Sequence, residues 1–521
     1  MKVMNRRSNV SRITTGALGL SLISLAACSA GESTPTVGVP APGGSAGFSG
    51  PLAFVNNTGD KTLTSVGLRG DSGNVVVNTI SAAEFENVAL GDMQFSEGNW
   101  VFVNLTAANK VATIDPLTAA TPVHGVNLPA GTRPVHIYRD TNNGEVIWTM
   151  NDGDNTPGST TPGEDLINCN NPARPGGAVV GGSVTIIHNS HLGPGGTSPS
   201  VEKTVCVLAA GHHVTAFSSG TGIPKRAFVS SEISGEIAVI DDEESSATYL
   251  QMTHRIDLCN TTKEAGLPSP ATCNPENVTG TTPFTPNNAG PHGIRWSNFT
   301  KKVYSIQEGY HEIAEIDPNP PYNVTNKWDL ASTPYTGYGI SPDGRYLLLR
   351  GETKAPQPQA IKLGIIDLSV TTPTIANLTT PELDGASNGA FLTGGSSFKF
   401  SPDGKRFYFL VGNSTEATVT KKDRLFAFDA STLNAATPAL TLLPNGEIPL
   451  LQTGRHSMDV LVQGAGEAKY IVVSNRGVPG SVSIINATDN AVKETVTVGT
   501  DPGAVMVYQS GAAAAGNQAS N

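Results

Sequence analysis

Charge is scarce in this sequence. Only 15% of its residues are Asp, Glu, Lys or Arg, the formal net charge is −11, and past the N-terminal segment the basic residues form no cluster. Phosphate backbones need concentrated Lys and Arg, so the composition argues against nucleic acid as a partner. Helical periodicity is missing as well: beyond the first residues no stretch repeats apolar side chains at helical spacing. No CxxC pair offers thiolates to a metal, and no CxxCH motif would attach a haem. His-Glu-x-x-His and Gly-x-x-x-x-Gly-Lys are both absent, which removes the helical zinc-protease site and the P-loop.

What the chain does have is turns, with 57 Gly and 36 Pro in 521 residues. Between them lie short runs rich in β-branched residues. The clearest case is Lys469–Tyr508. Lys469–Asn475 is apolar, Arg476–Gly480 turns, and Ser481–Ile485 alternates. Asn486–Asn490 turns, Ala491–Val498 alternates, Gly499–Gly503 turns, and Ala504–Tyr508 is apolar again. Four short strands joined by tight turns make an antiparallel meander. Such a sheet cannot bury both faces alone, so copies must stack. Worn copies of the unit fill residues 51–508. Eight are counted, with seven as the alternative, because the first unit and the loop-filled third are the least regular.

Shared phrases mark the copies. Val239-Ile240-Asp241, Glu315-Ile316-Asp317 and Ile365-Ile366-Asp367 end the second segment of three units. Ser341-Pro342-Asp343-Gly344 and Ser401-Pro402-Asp403-Gly404 end the last segment of two others. An Asp at a strand end accepts N–H bonds from the turn, and Pro-Asp-Gly suits a turn with a positive-φ residue. With Val472-Val473-Ser474-Asn475 these phrases resemble the YVTN family of β-propeller repeats. The resemblance implies an all-β propeller of four-stranded antiparallel blades. It also implies that the last segment lies innermost in the blade that holds Leu52–Asn56, closing the ring. It carries no activity with it, because such propellers host many functions.

In that family the fourth segment of each unit becomes the innermost strand of the next blade, and its start faces one mouth of the axial channel. Here the position repeatedly carries His: Arg133-Pro134-Val135-His136, Gly211-His212-His213, Gly290-Pro291-His292-Gly293 and Gly454-Arg455-His456. Five of the ten His in the chain fall at these four places. Two readings follow. Each His bonds a neighbouring turn, as Pro-His-Gly does in YVTN repeats. Alternatively, His136, His212, His213, His292 and His456 converge to hold copper, iron or a haem, with Arg133 and Arg455 for an anionic group. The placement is similar to the haem-binding propeller of cytochrome-type nitrite reductases and to nitrous oxide reductase, without a motif that matches theirs. Two functions are therefore expected. The first is a binding or scaffold module for a small ligand or protein partner at the axial face. The second is a cofactor-dependent oxidoreductase or cofactor-maturation protein. Asn151-Asp152-Gly153-Asp154-Asn155 lacks the Glu of a calcium loop and reads as a turn. Glu308 and Glu312 around His311 read equally as a site or a turn. Trp148, Trp296 and Trp328 read as blade packing.

The N-terminus is a targeting segment. Lys2, Arg6, Arg7 and Arg12 precede a short apolar run, Thr14–Ala27, too short for a mature membrane span. Leu25-Ala26-Ala27-Cys28 resembles a bacterial lipoprotein signal box. The resemblance implies cleavage before Cys28, a diacylglycerol thioether and an acylated amino group there, and, with Ser29 following, sorting to the outer membrane. Residues 28–50 read as a disordered tether and 509–521 as a disordered tail. Of the three pairings open to the remaining cysteines, Cys169–Cys206 and Cys259–Cys273 are expected, since each staples an irregular insertion within one repeat. Replacing Cys28 by Ser should move the protein from the membrane to the soluble fraction on cell fractionation; unchanged retention would refute the lipid anchor.

Overall fold

The computed structural model describes residues 50–96, 100–115, 124–153, 181–188, 199–207, 211–259, 289–353, 360–383, 397–411, 423–435, 437–451 and 456–509. The expected signal segment, tether and tail, and with them Cys28, lie outside these residues. Cys169, Cys273 and Arg455 do too. Neither Cys206 nor Cys259 is a free thiol, but the expected pairing involves residues that are not described.

Strands account for almost all regular structure, in eight four-stranded antiparallel sheets set in a ring. The first blade begins with β1 (Leu52–Asn57), β2 (Thr62–Gly67) and β3 (Val75–Ile80). The second is β4 (Met93–Phe95), β5 (Val101–Leu105), β6 (Lys110–Ile114) and β7 (His124–Asn127), and the third β8 (Pro134–Arg139), β9 (Val146–Asn151), β10 (Ser183–His188) and β11 (Ser200–Cys206). The fourth is β12 (His213–Ser218), β13 (Arg226–Ser231), β14 (Glu236–Asp241) and β15 (Met252–Asp257), and the fifth β16 (Pro291–Ser297), β17 (Lys302–Gln307), β18 (Glu312–Ile316) and β19 (Val324–Asp329). The sixth is β20 (Tyr335–Ile340), β21 (Tyr346–Thr353), β22 (Ala360–Asp367) and β23 (Ile375–Leu378), and the seventh β24 (Ser397–Phe400), β25 (Arg406–Val411), β26 (Arg424–Asp429) and β27 (Thr441–Pro449). The eighth is β28 (Met458–Gln463), β29 (Glu467–Asn475), β30 (Ser481–Asn486) and β31 (Ala491–Thr497). The last strand, β32 (Pro502–Tyr508), pairs with β1 and completes the first blade, with Leu52 opposite Tyr508 and Phe54 opposite Met506. The count is eight, and the closure is the one the repeat phase implies.

Position within a blade sets composition. The first three strands of the fourth blade are buried at every position but Arg226, whereas the outer strands β3, β11 and β31 are exposed or half-buried over most of their length. Strands covered on both faces tolerate continuous apolar runs, and outer ones need only half a pattern. Large rings fill the gaps between blades. Trp148 of β9, wholly buried, meets Phe217 of β12 edge-on with centroids 5.3 Å apart, and Phe95 of β4 lies 5.4 Å from Tyr508 of β32. Trp296 and Trp328 are likewise buried, as packing requires.

The Asn that ends the second strand has a specific task. In three blades its amide nitrogen donates to two hydroxyls on the next strand. Asn57 reaches Thr62 and Thr64 at 3.0 and 2.9 Å, Asn151 reaches Ser183 and Thr185 at 3.0 Å each, and Asn475 reaches Ser481 and Ser483 at 3.2 and 2.9 Å. The bond pins a buried strand corner where the backbone ladder runs out. The Ser-Pro-Asp-Gly turns behave as read: Ser341 and Ser401 donate to Asp343 and Asp403, and Gly344 takes φ +77° with no room for a Cβ against the Asn298 and Phe299 N–H groups. Asn475→Ala leaves two buried hydroxyls without their shared donor, so chemical denaturation should show a loss of about 1–3 kcal/mol; no loss would mean the triad is ornamental.

Candidate functional site

Strand alternation in an antiparallel blade puts the starts of all innermost strands on one rim of the ring, together with the turns between second and third strands. The long connections 152–182, 258–290, 379–396 and 412–423 all leave from strand ends on this same rim. Three of the five candidate histidines meet there, on three consecutive blades. His136 lies in β8, His212 directly precedes β12, and His292 lies in β16. A break in register helps to aim them: the pairing shifts between Pro134 and His136, and again between Pro291 and Gly293, where His292 is the extra residue. Gly211, at φ +138°, admits the turn before His212, and a Cβ there would strike Ile233 at 2.3 Å.

Nδ1 of His136 lies 2.6 Å from Oδ2 of Asp92, and a carboxylate only accepts, so the ring donates from Nδ1. Its Nε2 lies 2.9 Å from Nε2 of His212, and one proton is shared between these two nitrogens. The two rings meet edge to face, with centroids 4.4 Å apart. His292 lies on the other side of His212, at 4.9 Å between centroids and 33° between planes. Its Nδ1 contacts Glu308 Oε1 at 3.0 Å, which leaves Nε2 unprotonated when the ring is neutral. Burial, reinforced by His136 and His292, pushes His212 down to about 3, so it is neutral at any physiological pH. The hydrogen bond to Glu308 raises His292, and the same bond holds Glu308 below its usual range.

A third carboxylate lies within electrostatic reach of His136. Asp152 follows β9, and its backbone is held on both sides: its N–H donates to the Arg133 carbonyl at 3.1 Å, and its carbonyl accepts from Gly211 at 2.7 Å. Its Oδ1 is buried and has no hydrogen-bond partner. Burial pushes this carboxyl up to about 6, against the pull of His136 and Arg133. Among the described residues no three His, Cys, Asp or Glu side chains already stand as a metal cage.

The remaining candidates lie elsewhere. His213 does not join its neighbour: the strand alternation turns it inward, where its buried ring fills the space over Gly182, so close that a Cβ there would be 2.3 Å from Cε1. His456 is a tie within the blades: Nδ1 bonds the Ser474 carbonyl at 2.5 Å and Nε2 bonds Asp423 at 2.7 Å, both buried. Its two ring nitrogens are thus committed to protein acceptors. Of the five candidate histidines, His136, His212 and His292 come together at this rim, and His213 and His456 do not join them. Arg133, at φ +53°, is exposed at the rim beside Asp152. Of the two Glu around His311, Glu308 belongs to the cluster, while Glu312 pairs with Lys327 at 3.0 Å. Asp92 and Asp152 escape a motif reading because they come from connections of neighbouring blades.

The opposite rim holds a different feature. Asp140, after β8, and Asp242, after β14, are both buried and hydrogen-bonded to each other across two blades. Asn142 donates to Asp242 at 2.7 Å, and Trp148 Nε1 donates to Asp140 at 3.0 Å. Two adjacent carboxyls out of water cannot both ionise.

No protein-family model and no curated protein matches the chain. Solved structures with a similar course include apo AztD from Citrobacter koseri, at 13% identity and TM-score 0.49, covering 88% of this chain and 98% of that one. The periplasmic gluconolactonase PpgL of Pseudomonas aeruginosa matches at 13% identity and TM-score 0.45, over 88% and 98%. The dihydro-heme d1 dehydrogenase NirN, in complex with DHE, matches at 14% and 0.37, over 87% and 74%. Likeness at this level extends to the propeller fold and no further.

The carboxyl pair yields a pH test. Burial and the charge of Asp140 push Asp242 from 3.8 up to about 9, so the folded form keeps a proton that the unfolded chain releases. That contribution is complete below about pH 4 and drains away as pH climbs through about 9. The wild-type melting temperature should therefore fall over this interval, and Asp242→Asn, whose amide always donates, should flatten the fall. Parallel profiles for the two proteins would contradict the shared proton.

Proposed function

We propose that this chain is a metal-ion-binding propeller, exported and held to the outer membrane through Cys28, with His136, His212 and His292 as its nitrogen donors. The observation that carries the reading is the facing pair of Nε2 atoms, 2.9 Å apart, in a cluster whose two outer rings are each backed by a carboxylate. Two ligands of a tetrahedral ion stand roughly 3.3 Å apart at ordinary zinc–nitrogen bond lengths, so a small opening of the pair makes room for an ion. The proton shared by the two rings would move to Nδ1 of His212, and both Nε2 lone pairs would turn to the ion. Asp92 and Glu308 fit the outer role of carboxylates that orient ligating imidazoles and raise their basicity. Imidazole donors favour zinc or copper over calcium or magnesium. The disulfides Cys169–Cys206 and Cys259–Cys273 would be compatible with the oxidising compartment this implies.

Purified protein titrated with zinc or copper should bind one equivalent, measured by calorimetry and elemental analysis. His136→Ala with His212→Ala should abolish binding. Asp92→Asn or Glu308→Gln should weaken it about 10–100-fold. His456→Ala should lower stability while leaving the stoichiometry at one. A wild-type protein with no stoichiometric binding of either metal would overturn the proposal.

A further inference from the structure

Three imidazoles leave a tetrahedral ion one donor short, and among the side chains at this rim with a buried, unbonded oxygen, Asp152 is the carboxylate that interacts with His136. The Asp152 carboxylate lies within electrostatic reach of His136, and its Oδ1 is buried without a hydrogen-bond partner. A buried carboxylate oxygen left unbonded is costly, and a native fold retains one where something else completes it. The backbone around it is fixed by the two bonds to Arg133 and Gly211, the residue next to His212, so Asp152 cannot drift from the cluster without disturbing the turn that sets His212. Glu232 is the other acid in this neighbourhood. Its N–H donates to the His212 carbonyl at 3.1 Å, and it sits on the second-to-third turn of the fourth blade, half-buried as Asp152 is.

We infer that Asp152 supplies the oxygen donor that completes the site, giving three imidazoles and one carboxylate for a divalent first-row ion. The inference rests on the metal-binding reading above and adds a ligand to it. With a carboxylate in the fourth position the site is closed, as structural and storage sites are, rather than left open for a reacting water. Its occupant would then be held as cargo or as a structural ion, and not used as a Lewis acid.

Cobalt(II) is the probe. Wild-type protein loaded with one equivalent should show the intense visible bands of a four-coordinate ion. In Asp152→Asn the bands should shift and weaken as water enters, and zinc affinity, measured by competition with a chromophoric chelator, should drop by more than the roughly 10–100-fold that an outer partner costs. Glu232→Gln should leave both readouts as in the wild type. Asp152→Asn with wild-type bands and affinity would overturn the carboxylate ligand while leaving the histidine site standing. Failure of the wild type to bind cobalt or zinc at all would overturn both. Should Asp152→Asn fail to fold, X-ray absorption of the zinc-loaded wild type decides: three imidazoles plus one carboxylate oxygen support the inference, and three imidazoles plus water, or four imidazoles, refute it.

Discussion

A four-stranded sheet with two apolar faces has to find cover on both sides, and eight such sheets in series pass that requirement from one to the next until the chain ends. The pairing of β32 with β1 is what stops the series, because it turns two exposed edges into a blade and gives the first and eighth sheets each other's faces to bury. Everything at the rims follows from that constraint. Inner strands of successive blades touch in contiguous order through β32, β4, β8, β12, β16 and β20. Residues at their starts are therefore neighbours in space even when separated by about 80 positions in the chain, as His136, His212 and His292 are.

The local rules are few and repeat. A second strand ends in Asn where the next strand offers two hydroxyls, third strands end in Asp where a turn offers N–H groups, and the aromatic bulk lies between blades. The long connections leave from strand ends on one rim, where the scaffold tolerates insertions. The histidine cluster is an instance: its three rings come from strand starts, and its three carboxylates, Asp92, Asp152 and Glu308, come from the adjoining turns.

Most of the ring was legible in the chain because its signals are local. Period-two runs, Ser-Pro-Asp-Gly turns and Asn475 can each be read within ten residues. The blade phase was legible through the resemblance to YVTN repeats, whose unit is offset by one strand from the blade, so that Ala504–Tyr508 falls beside Leu52–Asn56. The histidines were legible as positions but not as directions. Whether a His at a strand start faces the axis depends on a one-residue shift in register: His212 faces the cluster while His213, one step on, fills the space over Gly182. His456 opens an innermost segment in the sequence as His292 does, and the buried Asp423 and the Ser474 carbonyl tie its ring down. Asp152 hid inside a phrase that resembles a solvated turn, because its partners come from other blades.

The seam and the cluster occupy different sectors of the ring. Closure belongs to the first blade and the histidines to the third, fourth and fifth, so one blade separates them on one side and three on the other. Fraying of the closing strand pair would thus begin outside the blades that carry the imidazoles, whose own four strands are each continuous in the chain.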